Sequence, residues 1–331
     1  MNKPCGRKIW HHHPSLPIPD TPVFDWPPRL PDALKWISNR WVHITASTLF
    51  LVISILVFNF GLLPGDTATS LSPNWILGVW LRNIGLMLLF AGSLHCWLFT
   101  FSGQKERFKF DAQPMKRNSK RFSFGNQVYD NIFWTLISGV SAMTLFEVLY
   151  WWAIANGLAP VMAFSGSEFW FFVWIIALPI VGSTHFYWVH RLLHWPPLYR
   201  KVHILHHRSI NIGPWSGISM HPVESVLYMS DLLIHFFIPT HPVIFLLHLY
   251  VKAIGPAFTH AGFEKVVAGD TKLVSAGDFH HQLHHRFFEC NYGTADTPWD
   301  RLFGSFHDGT EAANERIRQR VRERALKSKQ S

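Results

Sequence analysis

Four long apolar stretches dominate the first 190 or so residues of the chain. They run from His43 to Leu63, Trp75 to Phe101, Ile132 to Leu158 and Glu168 to Trp188, each near or above the ~20 residues that a helix needs to cross a bilayer. The connections between them are unequal in charge. The segment from Gly103 to Phe122 carries Lys105, Arg107, Lys109, Lys116, Arg117, Lys120 and Arg121, whereas Pro64–Asn74 and Ala159–Ser167 carry no Lys or Arg. Cytoplasmic loops concentrate positive charge, so the N-terminus and the basic segment are expected inside and the two turns without Lys or Arg outside. The fourth stretch then emerges into the cytoplasm. Arg82 and Glu147 lie within the second and third stretches. They are expected to face other helices or a polar cavity, since charges in a membrane rarely face lipid.

The flanking segments read differently. Residues 1–42 are Pro-rich and basic, a cytoplasmic arm that ends in a surface helix near Leu34 to Trp41. They lack the apolar h-region of a cleaved signal peptide, and His11, His12 and His13 read as a solvated tract. Residues 226–250 form another apolar run, interrupted by Asp231, His235, Pro239 and His241. It could form a re-entrant hairpin, a pair of membrane-embedded half-helices or a buried cap helix; two clean spans would not fit in that length, which favours the re-entrant or interfacial reading. From Glu311 onward Arg316, Arg318, Arg320, Arg322 and Arg324 mark a basic helix, solvated or lying at lipid headgroups. The final Lys327–Ser331 matches a dilysine pattern. The expected fold is an all-α integral membrane protein of about four transmembrane helices plus a cytoplasmic, helical, histidine-rich metal-binding cap. Its parts are an arm (1–42), a bundle (43–188, with the basic loop 103–122), the cap (189–309) and a tail (310–331).

Composition sharpens this picture. Of 331 residues 48% are hydrophobic and only 15% charged, against about 25% charged in ordinary soluble domains. The formal charge of +9 would suit nucleic acid, anionic lipid or an acidic partner. The basic runs abut membrane segments and no binding fold is legible, which argues against nucleic acid. Three cysteines (Cys5, Cys96, Cys290) form neither a disulfide framework nor a CxxC site.

Histidine is the outlier, with 21 in the chain and most of them after residue 184. His190 and His194 are four apart and share a face if helical. His203, His206 and His207 stand at i, i+3 and i+4, and His281, His284 and His285 repeat that spacing. One HxxxH pair is often chance. Two HxxHH clusters beside an HxxxH, after a membrane bundle, are a specific signal for transition-metal binding, because imidazole suits Fe, Zn, Cu and Ni. His221 and His260 are further ligand candidates. His185, His280 and His307 read as supporting groups near the ligands, and His235, His241 and His248 as structural.

The segments YWVHRLLH, LYRKVHILHHRS, PWSGISMHPVE, FTHAGF, HQLHHRFFECNYG and PWDRLFGSFHDG, between Tyr187 and Gly309, resemble the fatty acid hydroxylase and sterol desaturase superfamily. The resemblance implies two iron ions, dioxygen as co-substrate, and electrons from a separate cytochrome b5-like or ferredoxin-like donor. It implies as ligands His190, His194, His203, His206, His207, His281, His284 and His285, with His221 and His260 as further ones. Glu224, Asn291, Tyr292, Trp299 and Asp300 would support the site. Many members carry an acidic residue one or two turns before the first ligand, where Ser183, Thr184 and His185 stand here. The expected activity is hydroxylation of a membrane lipid, with desaturation as the alternative. A non-catalytic metal-binding membrane protein is the rival class. A zinc hydrolase would need a base placed as in HExxH, which does not occur here.

Overall fold

The computed structural model describes residues 9–39, 41–61 and 64–327. Cys5, the Leu62–Leu63 end of the first apolar stretch and all but the first residue of the dilysine pattern lie outside the described residues. The helices in chain order are α1 (Leu30–Asn39), α2 (Trp41–Phe60), α3 (Pro73–Thr100), α4 (Gln127–Ala155), α5 (Glu168–Leu193), α6 (Pro196–Lys201), α7 (Pro222–Tyr228), α8 (Pro242–Thr259), α9 (Phe279–Phe287), α10 (Trp299–Leu302) and α11 (Glu311–Lys327). Among the described residues one antiparallel hairpin, β1 (Lys265–Ala268) and β2 (Thr271–Ser275), accompanies the helices.

α3, α4, α5 and α8 are long and apolar enough to cross a membrane, and α2 is apolar from Ser47 to Phe60. α1 exposes Leu30, Leu34 and Ile37, one helical face suited to a membrane surface. Within the bundle α2 packs on α8, and α3 on α4. Arg82 and Glu147 pair directly across α3 and α4, and Asn83 Nδ2 donates to the other Glu147 oxygen (3.0 Å).

The two ends of the bundle differ in the manner expected from loop charge. Asn156 Nδ2 donates to Thr69 O (3.2 Å), tying the end of α4 to the turn that precedes α3. At the other end the basic loop packs on the histidine-rich part: Phe110 N donates to Gly262 O (2.9 Å) and Gln127 Nε2 to Asn211 O (2.6 Å).

Residues 226–250 depart from the interfacial reading. α7, a 3-10 turn at Ser230–Phe236 and α8 are two legs of a hairpin that passes through the bundle to its far end and back. At its tip Met162 N donates to Thr240 O (3.2 Å), and Trp170 Nε1 to Pro239 O (2.9 Å). Two legs fit because the 3-10 stretch rises ~2.0 Å per residue rather than ~1.5. The polar interruptions satisfy one another inside the protein: Lys252 Nζ lies 2.7 Å from Asp231 Oδ2, His248 Nε2 3.2 Å from the same oxygen, and His235 Nε2 3.0 Å from His248 Nδ1. α8 is therefore a core helix, buried almost throughout.

The arm is also more engaged than a solvated tract. His11 N donates to Phe110 O (2.7 Å), Ile18 N to Asp308 O (2.9 Å), and the His12 ring bonds Glu264 and packs on Phe108 and Phe110.

Candidate metal centre

Each histidine cluster sits on a different local structure. His190 lies in the last turn of α5 and His194 caps that helix. His203, His206 and His207 lie on a 3-10 helix (His203–Arg208), not on an α-helix as their spacing suggested. His281, His284 and His285 lie on α9, whose first turn Asp278 caps by accepting from His280 N. His260 closes α8, where Gly262 (φ +76°) and Gly277 (φ +71°) let the chain turn beneath α9.

Nine of these imidazoles converge in two groups. His190, His194, His203, His207 and His284 bring one nitrogen each to within 4.8 Å of one another, and so do His206, His260, His281 and His285. The two HxxHH clusters divide reciprocally. From the first, residues i and i+4 enter the five-membered group and i+3 the other; from the second, i and i+4 enter the four-membered group and i+3 the first. The groups abut, with the His207 and His285 ring centres 4.9 Å apart.

Hydrogen bonds fix several of the tautomers. His190 Nδ1 donates to Tyr292 O (2.6 Å), His284 Nδ1 to Cys290 O (2.6 Å), and His203 Nδ1 to Glu224 Oε1 (2.6 Å). A neutral imidazole has one N–H, so each of these rings turns a bare Nε2 lone pair inward. Yet the Nε2 atoms of His190 and His203 lie 3.1 Å apart, and those of His284 and His207 3.0 Å apart. In the second group His260 Nδ1 donates to Pro256 O (3.1 Å), and its Nε2 faces that of His281 at 3.0 Å. Burial holds His203, His207, His281, His284 and His285 well below the usual imidazole pKa and lowers His206 to about 4. Neutral rings whose lone pairs converge repel one another unless a cation sits among them. The donor set fits two transition-metal ions.

The supporting residues fall in three places. Asp300 accepts from Tyr292 N (2.8 Å) and Gly293 N (2.7 Å), which fixes the carbonyl that orients His190. Asn291, at φ +51°, donates to His280 O and His307 O (both 3.0 Å) and so closes the same loop. Glu224 sits on His203, as described. Ser183 and Thr184 tie α5 to that loop, accepting from Thr294 Oγ1 (2.9 Å) and Trp299 Nε1 (3.1 Å). His185 instead joins the polar hairpin, 2.9 Å from Ser230 Oγ. His280 lies outside both groups, stacked on Phe306 with its Nε2 3.9 Å from Asp300 Oδ2. His221 lies outside both groups as well: its Nδ1 caps α7 by accepting from Val223 N (3.3 Å). His307 bonds Asn314 of α11 (3.0 Å). Sequence reasoning missed the Cys290 carbonyl, which no side-chain pattern signals, and the rings of Tyr199 and Phe288 over His194 and His207.

Residues 175–305 match the family model described as fatty acid hydroxylase. This segment is a fatty acid hydroxylase domain. Part of the chain is similar to the Delta(7)-sterol 5(6)-desaturase of Gibberella zeae (31% identical over 139 residues, 41% of this chain and 42% of that protein). It is likewise similar to lathosterol oxidase of Homo sapiens (33% over 133 residues, 40% and 44%). A longer match joins the chain to a Delta(7)-sterol 5(6)-desaturase of Schizosaccharomyces pombe (28% over 241 residues, 70% and 75%). The stretch matched in the Gibberella and human proteins is less than half the length of each. The chain is thus similar both to the fatty acid hydroxylase family and to sterol desaturases. No solved structure matches the chain.

Proposed function

We propose that this chain is a membrane oxidoreductase that holds an iron ion on each imidazole group and oxidises a lipid C–H bond with dioxygen. The observation that carries the proposal is the convergence of nine imidazoles, all buried but the half-buried His194, in two adjacent groups at one end of a bundle of membrane-length helices. Iron at those positions would supply dioxygen activation, which d10 zinc cannot. Electrons would come from a separate protein of the cytochrome b5 or ferredoxin class. The N-terminus and the metal centre would face the cytoplasm, the side that the basic loop marks.

The chain's own groups do the rest. Glu224 and the carbonyls of Tyr292 and Cys290 each hold an Nδ1 proton and keep the opposite nitrogen free to bind metal. Phe186, stacked on His190 with ring centres 4.8 Å apart, walls the first group on its bundle side. A lipid entering from the bilayer would meet that wall. Hydroxylation consumes one dioxygen, two electrons and two protons, giving the alcohol and one water. Desaturation uses the same inputs, removes two hydrogens from the lipid and gives two waters.

The sequence placed hydroxylation first. The names of the relatives, sterol desaturases and a lathosterol oxidase, favour desaturation of a sterol-like lipid as the second reading. Lipid mass spectrometry of cells carrying the wild type or the His284→Ala/His285→Ala double variant tests both. A wild-type-only lipid heavier by one oxygen supports hydroxylation, and one lighter by two hydrogens supports desaturation. Identical lipids in cells that supply sterol and donor, with iron bound, would refute the catalytic reading.

A further inference from the structure

Within the proposed reading that electrons come from a separate protein, we infer where that protein docks: on the face formed by Tyr199 and Phe288, ringed by Arg121, Arg200, Lys201 and Arg208. The occupant is a small, acidic one-electron carrier.

Three observations carry the inference. First, access to the two groups is unequal. All four imidazoles of the second group are buried, and in the first His194 alone is not. His194 is covered by Tyr199, ring centres 5.3 Å apart, and the same ring lies 5.7 Å from His207. Tyr199 and His194 are both half-buried, so the first group comes to the surface here.

Second, Phe288 completes the cover with its ring 5.0 Å from His207. Its backbone has φ +64°, a left-handed conformation that costs a bulky residue free energy. The fold tolerates that strain where it places an aromatic edge between His207 and the surface.

Third, the surrounding charge is predominantly positive, with Glu289 the acidic exception. Arg121, Arg200 and Lys201 are exposed, as are Lys116, Arg117 and Lys120 in the same basic loop. Arg208 NH1 reaches Ser123 Oγ (3.5 Å) and Asp130 (3.8 Å), which fixes that loop beside the 3-10 helix. Arg121 and Glu289 both lie close enough to act electrostatically on Tyr199. The basic C-terminal helix is less free to serve: Arg318 pairs with Glu311 and Glu315, and Arg320 donates to Gly304 O (2.9 Å). Complementary charge on a partner steers encounter and fixes register, so an acidic carrier would be guided to the place where the Tyr199 ring leads straight to a ligand.

The test reads binding and does not need a working centre. Protein as purified in detergent is titrated with two soluble probes, a haem carrier of the cytochrome b5 class and a [2Fe–2S] ferredoxin, at low and high salt. At low salt one probe is expected to bind the wild type, and Arg200→Glu/Lys201→Glu to raise its Kd about tenfold or more. Arg200→Gln/Lys201→Gln should fall between, which separates charge from misfolding. Lys272→Glu/Arg322→Glu makes the same charge change on exposed residues elsewhere and should leave Kd unchanged. Equal weakening by the two charge-reversed pairs, or wild type that binds neither probe, would overturn the docking face. Iron-loaded protein that dithionite reduces while no carrier binds leaves the metal centre standing and removes only the docking. A carrier that binds as expected yet never reduces the iron would instead sink the external-donor reading.

Discussion

His203 and His206 show how single side chains sort into two groups. On a 3-10 helix residues i and i+3 eclipse, with a rise of ~6 Å between them. Their rings stack with centres 5.6 Å apart, one above the other, and each reaches a different group. The spacing in the sequence named nearly every converging imidazole but could not sort them, because it was read with α-helical geometry. Nor could it separate His260 from His221, two lone histidines of equal promise, until the hairpin placed one inside and left the other as a cap. Asp300 acts at one remove, through the Tyr292 carbonyl. Asp300→Ala is expected to weaken metal binding at the first group about 10- to 100-fold, with the second nearly unchanged, as measured by chelator competition. The buried histidines also set a pH dependence. His206 binds a proton near pH 6.5 when unfolded but only near about 4 when folded. Between those values the unfolded chain holds more protons, so its contribution is fully present above pH 6.5 and is lost as pH falls toward 4. The five other histidines lowered by burial act in the same direction. The melting temperature of metal-free protein should therefore be flat above pH 7 and fall on acidification; a rise on acidification would contradict the buried, neutral rings.

At the scale of elements, α9 depends on close backbone approach beneath it. A Cβ at Gly277 would lie 2.1 Å from Phe263 O, at a φ of +71° that other residues rarely adopt. Gly277→Ala should cost well over about 1 kcal/mol and lower iron occupancy of the second group, since His281 and His285 follow directly on α9. An unchanged melting temperature and iron content would refute this. The long helices were legible because an uninterrupted apolar run of membrane length has few alternatives. The hairpin of α7 and α8 was not, for a physical reason. A leg buried inside protein need not be apolar throughout when its polar groups meet one another, as Asp231, His248 and Lys252 do. Read against a lipid standard, those same residues look like interruptions.

For the whole molecule, charge asymmetry in the loops foretold which connections share an end, and the packing of Phe110 on Gly262 agrees. Sidedness is testable with single cysteines in a background lacking Cys5 and Cys96. Lys120→Cys should react with an impermeant maleimide from the cytoplasmic side and Ser165→Cys from the other; labelling of both from one side would contradict a bundle that crosses. Arg82→Ala should cost about 3–5 kcal/mol, because it leaves the Glu147 charge buried and unpaired. Loss of only a few tenths would mean that the pair is solvated. The most direct test is iron stoichiometry in purified protein, measured by plasma mass spectrometry. Wild type should carry close to two irons per chain. His203→Ala/His207→Ala and His281→Ala/His285→Ala should each lose one of them. Two irons retained in both variants, or wild type that takes up no iron, would contradict the division of nine imidazoles into two metal sites.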